Sequence, residues 1–280
     1  MIPTESELYR RLHDMATRQR MVFFAGLPGV GKSLFLQQLA LLAHNAGRTV
    51  HLLQWDVTRV AFETSAILAR YPGSGWRDPC RHPQRSGAVG ARLFSAGERH
   101  SDPAHLLVGE VPLVGNRLIE LVQNVDDAVE PLLAGAQTLF AIPTPSRHVR
   151  EVIEAAREAS MANPQHEKER ADAPSHVLQA MWDDLYRLAQ QLHIAPPNAK
   201  ATAYDPAIYA GVYHHLLQHR QCIVLPVDDV LPKVGSVYDI DAPVYELRAT
   251  GQEAAQFMRY VQTTFTDEQL AAQVEQWYNI

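Results

Sequence analysis

Short apolar runs recur along the chain, and segments with the spacing of amphipathic helices lie between them. Short runs of mainly apolar residues are typical of strands that are buried on both faces of a sheet. The five predicted strands are residues 21–25, 49–55, 105–111, 137–142 and 221–227. Alternating strands and helices predict an α/β fold in which a mainly parallel, five-stranded sheet is flanked by helices. Pro226 would either end the fifth strand early or place it at an edge.

Helical spacing between these strands completes the pattern. The first helix is predicted to begin at Thr4, whose hydroxyl would form a capping box with Glu7. A longer helix follows the first strand, with Leu36 and Leu39 on one face and Gly47 just beyond its end. Further helices are predicted at residues 57–70, 116–122, 147–159 and 206–219, at 254–265 and 267–277, and from Ser175 onward. We therefore expect a single domain that spans residues 1–280.

Composition and charge fit a soluble globular enzyme. The chain has 280 residues, of which 46% are hydrophobic and 20% charged, and its formal net charge is −6. This charge predicts no general attraction to nucleic acid or to an anionic membrane. Cys80 and Cys222 lie outside any paired C-x-x-C pattern, so neither a structural zinc site nor a disulfide framework is expected. Because the sequence shows no apolar run of membrane-spanning length and no signal peptide core, we expect a cytoplasmic protein.

Residues 26–33, GLPGVGKS, match the Walker A or P-loop pattern G-x-x-x-x-G-K-[ST]. An apolar strand precedes the match and a helix follows it, which favours a true P-loop over a chance glycine turn. Such a loop turns its N–H groups toward a phosphate at the positive end of the helix dipole. Lys32 would reach the β- and γ-phosphates, and the Ser33 hydroxyl would bind Mg²⁺. The residues predicted to hold a nucleoside triphosphate are Gly26, Gly29, Val30, Gly31, Lys32, Ser33 and Leu34.

Two acidic residues lie at the ends of the strands that follow the motif. Asp56 comes just after the second strand, and Glu110 lies near the end of the third. Ligands of open α/β sheets bind beyond the carboxyl ends of the strands, so both carboxylates are candidates for the site. Asp56 would orient or deprotonate an acceptor hydroxyl, or it would only cap a helix that begins near Val57. Glu110 would support Mg²⁺ or polarise a water, or it would be an ordinary exposed residue at a strand end.

Two other segments carry unusual charge. Between residues 59 and 99 there are seven arginines against three acidic residues, in a stretch that becomes rich in glycine and proline. We predict an arginine-rich insertion at about residues 57–105 that binds an anionic second substrate, although a merely solvated insertion would have the same composition. Residues 158–175 contain a charged stretch bounded by prolines, which suits a mobile lid over the triphosphate.

This combination resembles the P-loop kinases of the adenylate-kinase-like group, which transfer phosphoryl groups to nucleotides, nucleosides and other small molecules. The likeness rests on residues 26–33, on Asp56 at a strand end, and on residues 139–186. The last of these is similar to the strand, helix, arginine-bearing lid and helix of that group. The resemblance implies that Arg157 and Arg170 stabilise charge on the transferred phosphoryl group.

The chain departs from adenylate kinases at residues 109–113, where their third strand ends in Asp-Gly and this one carries Gly-Glu. AMP is therefore not favoured as the acceptor. We expect an ATP- and Mg²⁺-dependent phosphotransferase for a small acceptor such as a nucleoside, a nucleotide or a related metabolite, which is anionic if the insertion binds it. The alternatives are a regulatory ATPase without an acceptor and, less favoured, a kinase acting on nucleic acid. The choice between ATP and GTP and the oligomeric state stay open at this point.

Overall fold

A parallel sheet organises the chain in a computed structural model that describes residues 2–62, 102–115, 117–124, 129–197, 199–232 and 235–280. Its six strands are β1 (Met21–Ala25), β2 (Thr49–Gln54), β3 (His105–Val111), β4 (Thr138–Pro145), β5 (Cys222–Val227) and β6 (Val244–Glu246). The α-helices in the described residues are α1 (Glu7–Arg18), α2 (Lys32–Asn45), α3 (Trp55–Thr58), α4 (Glu130–Leu133), α5 (Arg147–Ala162), α6 (Ser175–Gln191), α7 (Pro206–Leu216), α8 (Gly251–Thr264) and α9 (Asp267–Glu275). Short 3-10 helices are formed by Arg59–Phe62, Ile119–Leu121 and Glu167–Ala171.

The strands lie in the order β5-β4-β1-β3-β2-β6, and all neighbouring strands are parallel. From β1 the chain crosses to β2, returns to β3 beside β1, and then passes to β4 on the other side of β1. The strand order therefore reverses at β1. In open α/β sheets, ligands bind at such a reversal, in the crevice beyond the carboxyl ends of the strands. The glycine loop follows β1 directly, so the topology places it at this crevice.

Helices cover both faces of the sheet, as the alternation of strands and helices predicts. Val22 and Phe24 of β1 pack in a buried cluster with residues of α1 and α2. Met21 and Phe23 point to the opposite face and pack with residues of α6 and α7. The predicted α/β fold with helices on both sides of a parallel sheet is thus confirmed, whereas its P-loop NTPase character stays a prediction. Within the described ranges, no helix combines the length and the apolar composition of a membrane span.

The sheet has one strand more than the five that the sequence predicts. Strand β6 spans only Val244–Glu246 and extends the sheet by pairing with β2. Its central residue, Tyr245, is 61% exposed, so the strand has no buried apolar run that would mark it in the sequence. At the opposite edge lies β5, which confirms the edge position that Pro226 predicts.

Strand β4 continues through Pro143 and Pro145, where the sequence predicts a break. The N–H of Phe140 donates to the carbonyl of Gln221, just before β5, and the N–H of Ser146 donates to Val227 at its end. The even-numbered residues of this segment therefore direct their N–H groups toward β5. The two prolines face the other way, beyond Ala141, the last β4 residue that pairs with β1. Their missing N–H groups therefore cost the sheet no hydrogen bond.

The start of α1 differs from the predicted capping box. Ser6, rather than Thr4, caps the helix, and its hydroxyl accepts a hydrogen bond from the N–H of Tyr9 at 3.1 Å. Glu7 forms an ion pair with Arg11 one turn along the helix, at 2.6 Å. The sequence therefore predicts the helix correctly but places its cap two residues too early.

Two other predicted helices differ in kind from the prediction where the structure describes them. The segment predicted as a helix at residues 116–122 contains a single 3-10 turn, Ile119–Leu121. Leu118 precedes it with φ +60°, a left-handed conformation that does not continue into a right-handed helix. In the helix predicted at residues 57–70, the described part up to Phe62 is the end of α3 and a 3-10 turn, and residues 63–70 lie outside the described residues.

The predicted arginine-rich insertion at about residues 57–105 lies mostly outside the described residues, because residues 63–101 are not among them. Cys80 falls in the same interval. Binding of an anionic second substrate by this insertion therefore stays a prediction.

Candidate active site at the glycine loop

The loop between β1 and α2 has the backbone conformation that its glycines permit. Gly29 has φ +80° and Gly31 has φ +87°, values that residues with a side chain rarely adopt. Gly31 immediately precedes α2, and the N–H of Leu34 donates to its carbonyl at 3.1 Å. The N–H of Gly26 donates to Val111 at the end of β3, also at 3.1 Å. The loop is thus fixed at both ends and opens onto the N-terminus of a helix, where anions bind favourably.

Gly26 has no room for a side chain, which leads to a stability prediction. A Cβ atom there would lie 2.3 Å from the hydroxyl oxygen of Tyr209 and 2.8 Å from Cγ2 of Val30. Because overpacking a rigid interior costs about 1–3 kcal/mol, Gly26→Ala should lower the free energy of unfolding in urea by about 2 kcal/mol. Adding Tyr209→Phe removes the closer contact and should recover part of that loss. A Gly26→Ala variant as stable as the wild type would contradict this packing.

Lys32 begins α2 with a buried ammonium group. Its side chain is 4% exposed, and Nζ donates to the carbonyl of Leu27 at 2.9 Å. The same atom lies 3.6 Å from Oε1 of Glu110. Desolvation lowers the pKa of Lys32 from its usual value, and the Glu110 carboxylate opposes that shift. A cation held in this way has a backbone carbonyl as one partner, which a phosphate oxygen could replace.

Ser33 meets the same carboxylate from the next position of the helix. Its hydroxyl donates to Oε2 of Glu110 at 3.1 Å. The contact exists because Glu110 of β3 pairs in register with Phe24, one residue before the end of β1. A hydroxyl and a carboxylate are the oxygen ligands that Mg²⁺ prefers.

Ser33 and Glu110 offer two protein ligands, and Mg²⁺ bound to phosphates takes few ligands from protein. Nowhere in the described part of the chain do three or more His, Cys, Asp or Glu side chains form a group that could hold a metal. Mg²⁺ commonly keeps several waters and uses one or two protein groups together with substrate phosphates. Ser33 and Glu110 agree in number with the protein ligands of such an ion, and the binding of Mg²⁺ itself stays a prediction.

Asp56 approaches the loop from the end of β2. Helix α3 begins at Trp55, so Asp56 lies within its first turn and does not precede a helix at Val57. The Asp56 carboxylate is exposed, and its charge raises the pKa of both Lys32 and Asp172. Asp56 therefore lies within electrostatic range of Lys32 and Asp172.

Helix α5 contributes the first predicted arginine. It begins after Ser146, whose hydroxyl caps it by accepting a hydrogen bond from the N–H of Val149 at 3.3 Å. Arg157 donates from Nη2 to Oδ1 of Asp172 at 2.7 Å and from Nε to the carbonyl of Ala173 at 3.2 Å. The charge of Arg157 also lowers the pKa of Lys32, so both cations border one site.

For Arg170, no contact with the groups around Lys32 is found among the described residues. It lies on the 3-10 turn Glu167–Ala171, its side chain is exposed, and it makes no ion pair within the described residues. Its predicted role in charge stabilisation stays a prediction.

Arg150 and Tyr238 also lie near the loop, although no sequence motif marks either of them. Arg150 of α5 is 3% exposed, donates to Glu154 at 2.7 Å, and lies 4.6 Å from the ring centre of Tyr204. The Cγ atom of Glu154 lies 3.9 Å from the position that a Cβ of Gly29 would occupy. Tyr238, in the loop after β5, donates its hydroxyl hydrogen bond to Asp172. The only signal for Tyr238 is that it follows a strand whose carboxyl end faces the crevice.

No protein-family model, curated protein or solved structure matches this chain.

The arrangement combines anion binding with nearby bases. Lys32, Arg157 and the helix N-terminus supply positive charge around the glycine loop. Glu110 and Asp56 supply carboxylates that act on Lys32, and Asp172 adds a third within electrostatic range of Asp56. Such a site can hold a polyanion and accept a proton from a neutral hydroxyl beside it.

Proposed function

We propose that this protein is an ATP- and Mg²⁺-dependent phosphotransferase that acts on a small acceptor. The observation that carries the proposal is the convergence of Lys32 and Ser33 on Glu110, within a loop of left-handed glycines at the reversal of strand order. A triphosphate needs N–H donors, a cation and a metal-supporting carboxylate in one place. The loop and the end of β3 offer all three.

Each group has a role in the proposed reaction. The acceptor hydroxyl oxygen bonds to the γ-phosphorus, while the bond from that phosphorus to the bridging oxygen breaks and ADP leaves with the electron pair. Asp56 takes the hydroxyl proton. Lys32 and the loop N–H groups hold the β- and γ-phosphates, and Arg157 stabilises charge on the transferred group. Ser33 and Glu110 would hold Mg²⁺, which neutralises phosphate charge when bound.

An acceptor screen tests the proposal directly. The protein is incubated with Mg²⁺, γ-labelled ATP and pools of nucleosides, nucleotides and small hydroxyl-bearing metabolites, and the label is followed. Label on a small molecule is the expected result. Label released only as inorganic phosphate would favour the regulatory ATPase, and label on short oligonucleotides would favour a kinase of nucleic acid.

Asp56→Asn should slow transfer to the acceptor without weakening nucleotide binding. The amide cannot accept the proton as the carboxylate does, so we expect a loss in kcat of about 100-fold, typical of a missing general base. Affinity for MgATP, measured by calorimetry, should change by less than about twofold, because Asp56 is proposed to accept the proton in the transition state and not to bind the nucleotide.

The matched control is Asp14→Asn on α1, whose side chain is 60% exposed and forms a surface ion pair with Arg18 at 3.7 Å. It should behave as the wild type. An Asp56→Asn variant with undiminished kcat would remove Asp56 from the proposed mechanism.

A further inference from the structure

Tyr238 and Arg157 bind the same oxygen atom. Oδ1 of Asp172 accepts one hydrogen bond from Nη2 of Arg157, at 2.7 Å, and another from the Tyr238 hydroxyl. The side chains of Asp172 and Arg157 are 11% and 19% exposed, so water competes little for these contacts. The three residues come from α5, from the segment after the 3-10 turn Glu167–Ala171, and from the loop after β5.

The loop that carries Tyr238 is anchored on two sides. Ser236 donates to Oε1 of Glu169 at 2.7 Å, and both residues are only 1% exposed. Gln37 of α2 donates to the carbonyl of Ser236 at 3.4 Å and to the carbonyl of Asp239. Because α2 begins with Lys32, the loop is held in a set position relative to the predicted phosphate site.

The charges around Asp172 favour keeping it hydrogen-bonded. Burial raises its pKa, while Arg157 and the Tyr238 hydrogen bond lower it. Glu169 and Asp56 face it with negative charge and raise its pKa further. A carboxylate in such surroundings depends strongly on its two donors, since a buried charge without a partner is costly.

We propose that Tyr238 is a positioning residue for Arg157 in the phosphoryl transfer. The inference rests on the proposed function, because Arg157 needs a phosphate to engage. To donate to the transferred group, Arg157 must give up at least part of its bond to Asp172. The Tyr238 hydroxyl keeps Asp172 hydrogen-bonded during this exchange, which makes the release of the arginine less costly. Tyr238 thus acts on the reaction through Arg157 without touching the nucleotide.

A double-mutant cycle on the full-length protein tests this role. Tyr238→Phe, Arg157→Ala and the double variant are compared for transfer of the γ-label from ATP to the acceptor that the screen identifies, in the presence of Mg²⁺. Tyr238→Phe should lower kcat by about tenfold and leave KM for MgATP within about twofold. In the Arg157→Ala background, Tyr238→Phe should change kcat by less than about twofold, because no arginine remains to be released.

Thermal unfolding verifies that each variant is folded, and Arg157→Lys supplies a second background if Arg157→Ala is not. Tyr245→Phe is the matched control, since Tyr245 is 61% exposed on β6. If the losses in kcat of the two single variants multiply in the double variant, the inference is overturned. It is also overturned if Tyr238→Phe leaves kcat unchanged, or raises only KM. In each of these cases the proposed function stands. No cleavage of ATP by the wild-type protein would overturn both.

Discussion

Lys32→Met should lower the turnover of MgATP by about a thousandfold, as expected when a fixed positive group that stabilises the charge developing on the phosphates is lost. The variant keeps most of the length of the side chain and loses the ammonium that lies 3.6 Å from Glu110 and 2.9 Å from the Leu27 carbonyl. Without it, the negative charge of Glu110 faces the incoming phosphates with less compensation. Turnover is measured with labelled ATP at saturating Mg²⁺.

The same substitution should not destabilise the fold at neutral pH. The pKa of Lys32 is lowered in the folded protein, so between that lowered pKa and its usual value of 10.5 the unfolded chain binds more protons. Stability from this group therefore rises with pH in that window, and below the window the buried ammonium opposes folding. Removing the charge relieves this cost, which is typical of a functional residue held in an unfavourable place.

Lys200→Met is the matched control, because Lys200 is exposed on the loop between α6 and α7. It should retain wild-type turnover and stability. A Lys32→Met variant that keeps turnover within about tenfold of the wild type would contradict the proposed role of the ammonium, since one such group normally contributes far more.

The fold could be predicted wherever a local pattern decides the structure. Strands β1 and β3 have the predicted bounds, because buried apolar runs of this length have few alternatives. Strand β6 could not be predicted, since three residues at an edge are held only by pairing with β2. Judged from the local sequence, Pro143 and Pro145 should end the strand. The sheet tolerates them because their missing N–H groups point away from β5 and lie beyond the part of β4 that pairs with β1.

The candidate site divides in the same way. The glycine loop and Glu110 could be predicted because a motif and a strand end are local signals, and the structure brings Lys32 and Ser33 to that carboxylate. Tyr238 could not be predicted, because its partner Asp172 is 66 residues away and its loop has no motif. Contacts of this kind depend on how the loop after β5 packs on the rest of the chain.

Arg220→Met should lower the free energy of unfolding by about 4 kcal/mol, because removing one partner of a buried ion pair costs about 3–5 kcal/mol. The Arg220 side chain is 0% exposed and donates to both oxygens of Glu130, at 2.7 and 2.8 Å. It also donates to the carbonyls of Leu121 and Gln123, each at 2.8 Å. One guanidinium thus ties two segments that follow β3 to the start of β5. Methionine can fill the space but offers no donor.

Urea unfolding followed by tryptophan fluorescence measures the loss, and Arg259→Met, exposed on α8, should change stability by less than about 0.5 kcal/mol. Adding Glu130→Met to Arg220→Met should restore part of the stability, because the carboxylate that has lost its guanidinium is then removed. Recovery should stay incomplete, since the carbonyls of Leu121 and Gln123 still lack that donor. Full recovery would mean that the ion pair alone matters, and equal urea midpoints for Arg220→Met and wild type would show that the guanidinium does not hold these segments together.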